Sequence, residues 1–182
     1  YKMMFDKKMV DSNKKIGQFL FPFFYVSIFF GLIISVFSEE IVYIVAPKEY
    51  SPAAEMITIL AILQCTFFFQ KQNQLIFAKK TYLISALTLL GISFNILINW
   101  FFVNFWGAIG VAWGSLLSGI LIGLISFYFS QKSFRIVFKK NSFGIVFLIY
   151  VLSSFVAISL MHISLDYIYE LAIKIILLLI FV

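Results

Sequence analysis

The chain has 182 residues, of which 63% are hydrophobic, 20% aromatic and only 12% charged, with a mean hydropathy of +1.04. A soluble domain of this size needs far more polar surface than that, and the short alternating segments of a β-barrel are missing, so the composition fits an all-α integral membrane protein. The formal net charge of +6 invites a nucleic-acid partner, but the lysines flank apolar runs, which points to membrane topology and no nucleic acid.

In chain order, residues 1–15 form a basic segment with Lys2, Lys7, Lys8, Lys14 and Lys15 and no signal-peptide pattern. A spanning helix needs about 20 apolar residues. Six stretches meet that demand: 16–37, 53–78, 82–105, 106–130, 143–161 and 167–182. The first contains Pro22 and Gly31, so a bend is expected there. Between the first two lies SEEIVYIVAPKEYSP, an apolar-charged mixture suited to the membrane interface. Within it Ser51 can cap the next helix, Pro52 fits a first turn, and Glu55 complements the helix dipole. The resulting organisation is a four-helix unit over 16–130, a basic loop over 131–141 and two further helices over 142–182, the last cut short. The chain starts at Tyr1 without an initiator Met and stops inside the run IILLLIFV. It reads as the C-terminal part of a longer membrane protein.

Charge placement orients these helices. Lys79 and Lys80 lie between the second and third spans, and Lys132, Arg135, Lys139 and Lys140 between the fourth and fifth. With the N-terminal lysines, eleven of the fourteen basic residues fall on alternate connections. The other connections hold Glu39, Glu40, Glu49 and Asp166, with Lys48 as their basic residue. The positive-inside rule then places residues 1–15, 79–81 and 131–141 in the cytoplasm of a bacterial inner membrane.

Several residues could carry chemistry. On a straight helix over 53–78, Gln64, Phe67, Lys71 and Gln74 share an arc of about 80°. Lys71 would sit roughly 12 Å deeper than Lys79, and a lysine at the bilayer centre costs about 2.5–3.5 kcal/mol. It therefore either faces a wet, anion-binding cavity or snorkels to the headgroups. Asn95 and Asn99 are four residues apart and share a helix face. They either line a substrate path or bond to a neighbouring helix, for which Gly107, Gly110, Gly114 and Ser118 offer a smooth edge. Glu170 and Lys174 have the spacing of a helical ion pair. His162 lies near Asp166 at a helix end, and Trp100, Asn104 and Trp106 mark an outer turn. The single Cys65 sits in an apolar run and reads as packing. Catalytic signatures and Cys/His metal clusters are absent from the sequence, so neither an enzyme, a metal site nor a cofactor is expected.

Residues 16–130 resemble the C-terminal half of polysaccharide repeat-unit flippases, the O-antigen or lipid-linked oligosaccharide transporters of the multidrug/oligosaccharidyl-lipid/polysaccharide exporter superfamily. The resemblance rests on Tyr50 followed by Ala53–Ala54, the Lys79–Lys80 turn, Asn95 with Asn99, and GAIGVAWGSLLS over 107–118. It implies a polytopic helical bundle of 12–14 spans, about six of them here, around a central cavity. The implied activity moves polyprenyl-pyrophosphate-linked oligosaccharides to the outer leaflet by alternating access. Membrane lipids and polysaccharide polymerase machinery are the implied partners. Lys71, with Gln64, Gln74, Asn95 and Asn99, is then the candidate substrate-binding set, Lys71 facing the pyrophosphate. A cation-coupled multidrug antiporter, a cell-wall precursor flippase and a polyprenyl-dependent membrane glycosyltransferase are the alternatives.

Overall fold

A computed structural model describes residues 9–70, 73–136, 140–163 and 166–181. Its elements are α1 (Met9–Val36), α2 (Ser38–Val45), a 3-10 turn (Lys48–Tyr50), α3 (Ala53–Gln70), α4 (Asn73–Phe77), α5 (Thr81–Ser133), α6 (Lys140–Met161) and α7 (Tyr167–Phe181). The described residues form no strand. Three helical stretches, 16–36, 81–133 and 142–161, are long and apolar enough to cross a membrane, and 53–67 is a shorter apolar helix.

The 53 residues of α5 are not one rod. Gly107 has φ +59° and ψ −138°, a backbone conformation that side-chain-bearing residues rarely adopt, and the chain reverses there. On a straight helix residues 95 and 118 would lie roughly 35 Å apart. Instead Asn95 Nδ2 is 2.8 Å from Ser118 Oγ. The two arms, 81–106 and 108–133, are therefore antiparallel neighbours, and the expected spans 82–105 and 106–130 meet within a residue of the reversal.

The remaining helices alternate in direction. Cys65 Sγ reaches the Ser27 carbonyl at 3.8 Å, and Thr58 Oγ1 reaches the Ser35 carbonyl at 3.1 Å, so α3 runs antiparallel to α1. Phe24 packs on Phe143 and Ser35 on Tyr150, so α6 runs parallel to α1. Tyr25 donates to the Phe181 carbonyl at 2.9 Å, which sets α7 antiparallel again. Phe24, Ile28, Leu32, Val36, Ile59, Ile62 and Tyr150 form the core of this packing. Inside it the hydroxyls of Ser38 and Thr58 bond each other at 3.0 Å and share the Ser35 carbonyl, as polar groups must where water is excluded. α1 runs as one helix through both Pro22 and Gly31. Gly31 makes room for its neighbours: a Cβ there would lie 2.5 Å from Cys65 Sγ, well inside van der Waals contact.

This alternation sorts the charges. Lys79, Lys80, Lys132 and Arg135 gather at one end, where Gln74 Nε2 ties α4 to the Phe134 carbonyl at 2.7 Å. Every acidic residue after Asp11 lies at or beside the other end, where Glu55 faces His162 at 3.7 Å. Helix α4 closes on a turn in which Lys80 N–H bonds the Leu75 carbonyl and Lys79 N–H the Ile76 carbonyl, with Lys79 at φ +56°. This is the glycine-favouring helix stop, here filled by a lysine.

Candidate functional site

Two polar assemblies stand out. The first zips the arms of α5. Asn99 Nδ2 donates to Asn95 Oδ1 at 3.1 Å and to Ser115 Oγ at 3.0 Å, while Asn95 Nδ2 donates to Ser118 Oγ. Ser118 in turn donates to the Ser115 carbonyl at 3.0 Å. Small residues permit this approach: a Cβ on Gly114 would lie 2.4 Å from Asn99 Oδ1, and one on Gly110 would lie 2.3 Å from the Phe102 carbonyl oxygen. Asn95 and Asn99 thus share one helix face, as their spacing predicts, and reach Ser118 and Ser115 across the helix pair, but their surroundings differ. Asn95, Ser115 and Ser118 line a groove of about 420 Å³ whose apolar sides include Leu63 and Phe67 of α3 and Ile92 of α5. Asn99 lies under them, against Gly114.

The predicted glutamine stripe is dispersed over separate elements. The straight helix expected over 53–78 is replaced by α3 and the five-residue α4. Gln64 opens on a different groove, of about 330 Å³, shared with Ser27, Gly31 and Ile34 of α1. Gln74 is buried and spends its amide on Phe134. Lys71 lies outside the described residues. The structure therefore joins Asn95 and Asn99 with Ser115 and Ser118, and brings neither Gln64 nor Gln74 to them.

The second assembly was only half legible. Glu170 and Lys174 do pair, at 2.5 Å. Lys174 also meets Glu40 at 2.7 Å and Glu39 at 3.2 Å, both from α2. Its side chain is 2% exposed, so these carboxylates replace its hydration. Burial, and after it the neighbouring Glu170 carboxyl, pushes the Glu39 carboxyl above the ordinary carboxylate range. The signal that could have found this partner is the SEE at the head of an interfacial stretch, facing a lone lysine in an otherwise apolar helix. His162, expected beside Asp166, has Glu55 as its ionic neighbour and a side chain 69% exposed. Asn104 bonds its own helix at the Trp100 carbonyl, and Trp100 and Trp106 are largely exposed, as anchoring indoles would be.

Among the described residues, no group of three His, Cys, Asp or Glu side chains is placed to hold a metal ion. No protein-family model, curated protein or solved structure matches the chain.

Proposed function

We propose that the chain is part of a polytopic carrier that moves lipid-linked oligosaccharides across the bacterial inner membrane, and that the α5 groove belongs to the path. The observation that carries this reading is the composition of that groove: the Asn95 amide and the hydroxyls of Thr88, Ser115, Ser118 and Ser126 set among apolar side chains. Such a surface suits a molecule that joins a hydroxyl-rich head to a hydrocarbon tail. The separation of basic and acidic ends supports an orientation with Lys79, Lys80, Lys132 and Arg135 on the cytoplasmic side. On this reading α1, α3 with α4, the two arms of α5, α6 and α7 each make one passage, about six of the 12–14 helices of the bundle. Lys71 supplies the cation for the pyrophosphate. A cation-coupled drug antiporter would more naturally bury an acid midway along a span, whereas the acids of the described helices α2 to α7 cluster near one end.

Deleting the gene should trap lipid-linked repeat units at the cytoplasmic face and abolish surface polysaccharide. Returning it with Asn95→Leu or Lys71→Ala should restore membrane levels but not the polysaccharide. Unchanged surface polysaccharide in a clean deletion overturns the proposal. Full rescue by both variants removes the groove and the lysine from the path.

A further inference from the structure

The Lys174 assembly is short of positive charge. Glu39 and Glu40 on α2 and Glu170 on α7 surround one ammonium, so the fully ionised group would carry two net negative charges. Carboxylates crowded into one partly buried site do not all ionise, and the cheapest remedy is one retained proton. Glu39 and Glu170 lie against the same ammonium, 3.2 and 2.5 Å from Lys174 Nζ, which makes the two carboxyls close neighbours. Glu40 Oε2 is buried without a partner.

The helix these groups hold is lightly attached. α2 is eight residues long, joined to α1 through the single break at Phe37 and to the 3-10 turn through Ala46–Pro47. Its buried residues are Ser38 and Val42, while Tyr43, Ile44 and Val45 are 72–80% exposed. Ser38 and Val42 seat α2 against α1 and α3, and the ion cluster is what ties it to α7.

We propose that Glu39 and Glu170 share one proton, and that this proton latches α2 to α7. The other charged or titratable groups around Glu39 are Glu40 on its own helix, Lys174 on α7, and Lys48, Tyr43 and Tyr167 around an adjoining cavity of about 710 Å³. From α3, Glu55 is turned toward His162. With the proton in place, the cluster carries one net negative charge and Lys174 bridges both helices. As pH rises through the elevated titration of Glu39 the proton leaves, repulsion between α2 and α7 grows, and the latch loosens. The latch is therefore tighter on the acid side of that titration than on the basic side. This inference does not depend on what the protein carries.

The test is the reactivity of a cysteine at Val42, which is 6% exposed, in the full protein in detergent micelles with Cys65 replaced by Ala. A hydrophilic maleimide is the probe, from about pH 5 to about pH 9. Its rate is divided by the rate at Tyr43→Cys, an exposed neighbour, which cancels the thiol's own ionisation. The ratio should climb about tenfold with pH when Glu39 is present. Glu39→Gln keeps a donor for Glu170 but no charge, so its ratio should stay low and flat. A ratio independent of pH with Glu39 intact, or an unchanged climb in Glu39→Gln, overturns the proposal. Ser38→Cys, nearly isosteric and fully buried, gives the same readout should Val42→Cys disturb the packing.

Discussion

The zipper in α5 and the cluster around Lys174 solve the same problem in opposite ways. Both bring polar side chains into an apolar protein, where an unpaired group costs several kcal/mol. The zipper uses neutral amides and hydroxyls, whose donors and acceptors are matched within one helix pair. Glycines at 110 and 114 let the backbones close in far enough for those short side chains to meet. The cluster uses full charges, long side chains and two distant elements, and its charges do not balance. Neutral pairing demands close backbones and rewards them modestly; ionic pairing reaches across a junction but leaves a residue of charge that pH can move.

Substitutions can break this contrast, and the largest effect belongs to the cluster. Lys174→Met leaves three carboxylates facing one another and should cost about 3–5 kcal/mol, as for a buried ion pair that loses one partner. Titrating the folded protein in mixed micelles with SDS, followed by circular dichroism, measures the loss. Gly110→Ala comes next. Its Cβ meets a backbone oxygen that cannot rotate away, so the arms must part, at about 1–3 kcal/mol in the same titration. Gly114→Ala should cost less, because the clashing atom is the swinging end of Asn99.

A double-mutant cycle on Asn95→Ala and Ser118→Ala sharpens the comparison. Interhelical hydrogen bonds in membranes average about 0.6 kcal/mol, so the coupling between these two should lie near that value. A coupling as large as that between Lys174 and Glu40 would erase the distinction drawn here. The smallest effect is a gain: Lys79→Gly relieves a left-handed lysine and should stabilise the fold by up to about 1 kcal/mol. If the positive-inside reading is right, that change also removes a topogenic charge, visible as a larger fraction of inverted protein in a protease-protection assay.

Sequence reasoning reached the zipper because its signal is local. Two amides four residues apart, a reversal marked by Trp106–Gly107, and small residues on the following helix all follow from helical periodicity. The all-helical character and the sorting of charges were legible for the same reason. The Lys174 cluster was not, since Glu39 and Lys174 are separated by 135 positions and only the packing of α7 against α2 joins them. The glutamine stripe misled because it assumed one straight helix over 53–78. Gln74 belongs instead to α4, pinned to the far end of α5.

The fold-back at Gly107 also bears on how two such apolar arms would enter a membrane. The arm 81–106 holds Asn95 and Asn99; their serine partners arrive only with the arm 108–133. If the first arm partitioned into lipid alone, it would carry bare amides until its partner was synthesised. Handing both arms over together, already zipped, hides those groups from the start. The glycine reversal and its close-packed neighbours would then act during biogenesis, by making two consecutive spans a single unit of insertion.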